Sequence, residues 1–429
     1  MPLHALIHSP ARGAVRAALC GLSAALLMPT VPAFAQERLS LDRVVEMAVA
    51  RAPMLDARSA QVEAARQEAV RAGALPDPML TFGMANQPVT GDDAFDPDAD
   101  FMTMRQIGVR QEIPAAAKRQ ARRELAAREV DEAAVRADVQ RLQVRRAAAE
   151  AWIELWAAQR EFDAVEDIHE EAELASRLAR ARVAGGSVTA SDALATDMAV
   201  LELGNRLEAA RASREAAQAA LARWAGEARI VPAAESPDFT RLPVAEEELL
   251  AELGRLVSLL PIIAATETAA AAVDVARAEK RPDWSVAASY GQRGAGRSDM
   301  LMVEVGIDLP LFTRNRQDRG IAARQADYQA VLATREDLHR QHTAEVRASL
   351  ARWEGLKRQV ARDREALLPL ARDRDDTSLA AYRAGGPVGP WLDARRDHAA
   401  LLVDHSRREG ALGLAWAALA YLLTSEPQR

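Results

Sequence analysis

Residues able to do chemistry are scattered along this chain in combinations that complete no catalytic set. His169-Glu170 could open a zinc-binding helix, but the second histidine one turn further on is missing. Gly294-Ala295-Gly296 lacks the third glycine and the helix of a nucleotide loop, and no Gly-Lys-Ser/Thr phosphate cradle occurs. His339 and His342 stand at i,i+3 on one helical stretch without a third ligand nearby in sequence. Carboxylates are plentiful, yet nearly all lie in Glu/Asp/Arg mixtures on helical stretches, where solvated i,i+4 pairing is expected. No catalytic residue, no cofactor site and no resident metal site is assigned.

Methionines are the remaining soft groups. Met104 and Met302, joined by Met102 and Met300, fall on the polar face of alternating segments, and thioethers suit Cu(I). Methionine is also an ordinary adaptable filler, and that reading is preferred here.

Elements that could position any of these groups are set by composition. The 429 residues carry 55 basic against 62 acidic side chains, a net charge of -7, and are 49% hydrophobic with only 4% aromatic. This excludes a disordered chain and a basic nucleic-acid binder, and the Ala-rich palette favours long helices packed through small side chains. At the N-terminus Arg12 and Arg16 lead into an apolar run, and Ala33-Phe34-Ala35 offers a cleavage site, so residues 1–35 read as a secretory signal peptide. Cleavage there shifts the net charge from -7 to -9 and removes Cys20, the only thiol. A lipoprotein anchored through Cys20 is disfavoured by the bulky Leu19 before it. No later stretch has 18 or more uninterrupted apolar residues, so any membrane crossing falls to strands.

An internal repeat decides the architecture. Arg182-Val183-Ala184-Gly185-Gly186-Ser187-Val188 recurs as Tyr382-Arg383-Ala384-Gly385-Gly386-Pro387-Val388, an offset of 200, and Trp152 recurs as Trp353. The chain is expected to hold two repeats, residues 36–229 and 244–429, joined by a Pro-rich linker over 230–243. Each starts with a helix that ends at proline, Pro76 or Pro282. Two short segments with a period of two follow: 79–86 and 102–113, then 283–290 and 300–309. Leu301, Val303, Val305 and Ile307 alternate with Met302, Glu304, Gly306 and Asp308, which suits a membrane strand, although a half-buried soluble sheet shows the same pattern. Helical stretches over 115–182 and 317–384, each roughly 100 Å long, then reverse at the Gly-Gly turns into return helices. Four strands cannot close a membrane barrel, for which eight is the smallest number, so several chains must share one; a trimer supplies twelve.

This pattern resembles the TolC-type outer membrane efflux family over essentially the whole mature chain. Leu75-Pro76-Asp77-Pro78-Met79, Met102-Thr103-Met104-Arg105-Gln106-Ile107-Gly108, Ile113-Pro114 and Lys118-Arg119 look most like the branch that serves heavy-metal (copper and silver) resistance pumps. The resemblance implies a mainly α protein with a small β part. A homotrimer would form a 12-strand outer membrane β-barrel in lipid, continued by a periplasmic α-helical barrel that meets an adaptor protein and an inner-membrane pump. It implies a passive channel that is not an enzyme. Leu392-Asp393-Ala394 resembles the family's pore-lining acidic motif, with Pro390 where another acid is common. Asp393 and, in the first repeat, Asp192 are therefore candidate gate residues; helix capping is the alternative, and the favoured one for Asp192. Gly185, Gly186, Gly385 and Gly386 are the candidate adaptor-contact tips. Ducts for drugs or for protein secretion, and a periplasmic coiled-coil scaffold, are the competing readings.

Overall fold

A computed structural model describes residues 38–186, 189–226, 230–233, 235–294 and 296–423. The proposed signal peptide and Cys20 lie outside the described residues. Strand β1 (Arg38–Leu39) leads into helices α1 (Leu41–Arg51) and α2 (Pro53–Ala72). Ser40 caps α1 by accepting from the Arg43 amide, and Pro53 at the first position of α2 breaks the two apart, since proline cannot donate within a helix.

Strands β2 (Met79–Ala85) and β3 (Met104–Ile113) follow, then α3 (Ala116–Ala184), whose 69 residues rise roughly 100 Å. Helix α4 (Ala190–Ala225) returns alongside it and stops at Gly226, which is left-handed. Strand β4 (Val231–Pro232) pairs in parallel with β1. The second half repeats the order with a more broken start: α5 (Glu246–Ala251), two single 3-10 turns, α6 (Leu260–Ala278), β5 (Asp283–Arg293), β6 (Met300–Asp308), α7 (Gln317–Arg362), α8 (Leu368–Arg383) and α9 (Gly389–Ala420). Between α7 and α8 the chain makes a π turn at Asp363–Leu367, just before Pro369. The expected second long arm is thus interrupted where the first is continuous.

Strands β2, β3, β5 and β6 form one antiparallel sheet in that order. The two halves therefore meet through β3 and β5, and β2 and β6 are edges. Midway along the arms, the main core gathers Val44 and Val45 of α1, Trp152, Ile153 and Trp156 of α3, Leu221 of α4, Trp353 of α7 and Leu419 of α9. The repeat is visible in its hydrogen bonds. Trp152 Nε1 donates to the Leu39 carbonyl at 2.9 Å, and Trp353 Nε1 donates to the Phe239 carbonyl at 2.9 Å, so each repeat staples its entering chain to its long helix. Buried indole N–H groups need such partners.

The segment Val257–Ala278 is long and apolar enough to cross a membrane by mean hydropathy, 1.5, although Glu267 and Asp274 interrupt it. It packs instead against α3 and α7. Thr268 Oγ1 there donates to Glu132 of α3 at 2.8 Å.

Candidate functional site

Register sorts the strand side chains onto two faces. Pairings Phe82–Ile107–Tyr290–Leu301 and Leu80–Val109–Ala288–Val303 run across all four strands on the apolar face, which also carries Trp284, Val286, Val305 and Ile307. These groups stand in the open: Phe82 is 72% exposed and Leu301 74%. A contiguous exposed apolar band with aromatics toward its ends is what lipid covers in a membrane barrel. The opposite face carries Thr81, Gln106, Arg110, Glu112, Ser285, Ser289 and Glu304 together with Met104, Met300 and Met302. Arg110 and Glu304 approach to 3.7 Å across the small Ala287 between them. Met102 lies before β3, its amide donating to Asp100 Oδ1 at 2.6 Å, so it does not join the strand face as expected.

Where sheet meets helices, Lys118 of α3 is buried with its ammonium 2.7 Å from Asp283 Oδ2 and 3.3 Å from Glu279 Oε2. The other Asp283 oxygen accepts from the Ala115 amide at 2.7 Å. One carboxylate thus ties the start of β5 to the start of α3, and through β3 the two halves are fixed at a shared corner. The Lys118-Arg119 pair quoted for the family resemblance contains this residue.

At the far ends the glycine turns differ. In the first, Gly185 has φ −86 and Gly186 is left-handed at φ +72; in the second, Gly385 takes the left-handed conformation at φ +99 and Gly386 does not. Ser187 and Val188 of the first tip lie outside the described residues. Asp192 sits in a capping box: its amide donates to Thr189 Oγ1 at 3.1 Å and its carboxylate accepts from the Thr189 hydroxyl at 2.8 Å. Asp393 is one turn into α9, whose start has no side-chain cap, and its exposed carboxylate lies 3.6 Å from Arg396.

Above the tips, charges run between helices rather than along them. Arg395 of α9, nearly buried, pairs with Glu171 of α3 and, at 3.2 Å, with Asp375 of α8, which His398 also approaches at 3.2 Å. Arg396 reaches Glu202 of α4 at 3.7 Å. Arg182 lies over the Tyr382 ring at 5.1 Å, and that ring stacks on Trp391. Beside them a groove of about 1100 Å³ is lined by Leu174 and Leu178 of α3 and Leu368 and Leu379 of α8.

Further toward the core, the π turn holds Asp363, which is 2% exposed and accepts from Arg408 at 2.7 Å. His405 stands between two acids, Nδ1 3.4 Å from Asp363 and Nε2 3.3 Å from Glu409. Glu409 is also 2% exposed; Arg364 donates to one oxygen, and Arg160 Nε lies 3.0 Å from the other as a charge contact without hydrogen-bond alignment. Burial alone would raise its carboxyl pKa, but bonds from His405 and Arg364 and the charge of Arg160 lower it to about 2. Many ion pairs are the solvated i,i+3 and i,i+4 kind expected. Those of Asp363, Asp375 and Glu409 are not: they are buried and join helices. Only the Pro369 interruption and the Arg395-Arg396 doublet hinted at them, since helical spacing pairs residues three or four apart and says nothing about partners 20 to 45 residues away, as for Asp363 and Asp375, or on another arm, as for Arg160 and Glu409. His339 and His342 remain on α7, where His342 Nδ1 is 2.9 Å from Glu345, and among the described residues no His, Cys, Asp and Glu cluster is arranged to hold a metal.

Residues 44–227 match the family model of the outer membrane efflux proteins, a span covering most of the first repeat. No curated protein matches the chain. Among solved structures, a membrane protein from Pseudomonas aeruginosa superposes with a TM-score of 0.75 at 19% identity, covering 89% of this chain and 91% of that one. CusC, described for its transmembrane channel formation, gives a TM-score of 0.75 at 15% identity over 90% of this chain and 92% of that one. The outer membrane protein VceC of Vibrio cholerae gives 0.70 at 19% over 89% and 96%.

Proposed function

We propose that this chain, of which residues 44–227 match the outer membrane efflux family model and whose fold is that of solved outer membrane channels, is the exit duct of a tripartite efflux system, exporting heavy-metal cations. The observation that carries the duct reading is the sheet. One chain supplies four antiparallel strands with one apolar and one polar face and two unpaired edges, β2 and β6. Open edges in lipid cost several kcal/mol per unsatisfied group, so β6 of one copy pairs with β2 of the next, and three copies close a 12-strand barrel. A periplasmic scaffold has no use for the exposed apolar face. The metal cargo is supported by the sequence motifs named above.

The two repeats, 36–229 and 244–429 with the linker 230–243, then each supply one strand pair and one helical hairpin to the wall. The tips Gly185, Gly186, Gly385 and Gly386 meet a periplasmic adaptor, which couples the duct to an inner-membrane pump. Asp393, free of any capping bond in the second tip, lines the constriction, and Asp192 contributes to it while capping α4. The duct is passive: substrate moves because the pump delivers it. Deleting the gene and measuring cell-associated copper and silver tests the cargo. Accumulation restored to normal by the intact gene is expected; unchanged metal content together with accumulation of dyes or drugs would move the cargo to organic compounds.

A further inference from the structure

The polar strand face carries a feature that the duct reading does not need. Gly291 of β5 is a bare, buried position with methionine side chains on both flanks. From β3, Met104 folds over it: its sulfur sits 2.7 Å from where a Cβ on residue 291 would stand. From β6, Met302 leans across β5 far enough for its sulfur to accept from the Gln106 amide of β3 at 4.0 Å. Met300 is the cross-strand partner of Gly291 itself. The thioethers of Met104 and Met302 thus reach over the strand between them from its two sides, and Met300 stands beside the same glycine in register.

A filler role accounts for Met104, which is 4% exposed over Gly291, but not for the other two. Fillers occupy irregular gaps inside cores, whereas Met300 and Met302 are 37% and 38% exposed on the polar face, among Gln106, Ser289 and Glu304. The neighbouring arginines are already engaged. Arg293, the partner of Met104, donates from Nε to the Ser298 carbonyl at 2.7 Å, and Arg110 faces Glu304. The acidic loop between β2 and β3 closes over the same end of the sheet, with the Asp98 carboxylate against Gly294. Carboxylates at a mouth concentrate cations, and neutral thioethers select the soft ones among them.

We infer that Met104, Met300 and Met302 form a transit site for a soft monovalent cation, of Cu(I) or Ag(I) chemistry, on the lumenal face of the strand sheet. The inference rests on the duct reading for the word lumenal and on geometry for the site. Thioethers bring no charge, so the ion is held without the thiolate grip that would stop the flow.

The test uses the purified full-length protein in detergent with silver nitrate in chloride-free buffer. Methionine oxidation by dilute peroxide, read peptide by peptide, reports which sulfurs the metal covers. Silver should slow sulfoxide formation at Met300 and Met302 and leave Met54 and Met198, exposed on helices α2 and α4, unchanged. Gly291→Ala keeps every methionine but pushes the Met104 sulfur aside, and should abolish the protection. Met302→Leu, on an exposed position that tolerates the change, should lose the bound silver ion in native mass spectra. Equal oxidation with and without silver, or protection that survives both substitutions, would overturn the site. Bilayer conductance of the same preparation separates this from the duct reading: a conducting protein without protection loses only the site, and a protected protein that never conducts loses the duct and, with it, the lumenal placement.

Discussion

Replacing Glu409 by Gln removes one negative charge from the buried cluster at the π turn while keeping the side chain's size. In the folded protein the carboxyl pKa is lowered from 4.5 to about 2. At roughly 1.36 kcal/mol for each tenfold change in proton affinity, the ionised form contributes about 3 kcal/mol to the folded state at neutral pH. A depressed acid gives its full contribution above its unfolded value and loses it as pH falls through 4.5 toward 2; at pH 3 about 1.4 kcal/mol is left. Glu409→Gln should therefore leave Arg364 and Arg160 without the anion they share at pH 7, while Asp363 stays beside His405. Hydrogen exchange of the α9 amides around residue 409 reads the local opening, and a loss of about 3 kcal/mol speeds it roughly a hundredfold. The gap between variant and wild type should narrow on acidification, to about tenfold at pH 3 after correction for intrinsic rates. Unchanged exchange at pH 7, or a gap independent of pH between 4.5 and 2, would refute an electrostatic role for this cluster.

Lys118→Met strips the cation from the corner where Asp283 and Glu279 meet and should cost about 2 kcal/mol, discounted for the partial exposure of both acids, read as a lower calorimetric midpoint; an unshifted midpoint would show that the corner is held by other contacts. Gly385→Ala forces a side chain into φ +99 and should cost about 1–2 kcal/mol, whereas Gly185→Ala, at φ −86 with its nearest neighbour 3.6 Å away, should cost almost nothing, so equal exchange at the two tips would contradict the turn assignment. Asp393→Asn should reduce the cation preference of single-channel currents and weaken block by trivalent cations; identical currents would remove Asp393 from the gate.

Much of the fold was legible because its signals are periodic. The 200-residue offset between the Gly-Gly turns, the alternation of Leu301 to Ile307 and the long stretch 115–182 without Gly or Pro each locate an element without knowledge of its neighbours. The observed long helix Ala116–Ala184 departs from its expected bounds by one or two residues at each end. Elements set by tertiary partners were harder to see. The π turn at Asp363–Leu367 needs buried acids paired with arginines on α3 and α9, and nothing in the local pattern of α7 announces them. Apolar spacing at the start of the second repeat predicts one helix from about residue 246 to 280, but the chain breaks into α5, two 3-10 turns and α6, with extended backbone at Leu256, whose side chain is buried in the main core. Of the candidate site residues, Asp192 and Asp393 are adjacent to caps in sequence yet differ in the structure, because only Asp192 has a hydroxyl, that of Thr189, three residues before it. The convergence of Met104 and Met302 depends on Gly291 of a third strand, and register alone reveals it.

Four strands per chain close a barrel only when copies share it. Native mass measurement of the protein extracted from the outer membrane fraction in mild detergent decides whether they do. Three copies per particle, with unfolding to single chains only on heating, is the predicted result. A single chain of stable strand content recovered from the soluble periplasm would contradict it, because the edges of β2 and β6 would then need no partner.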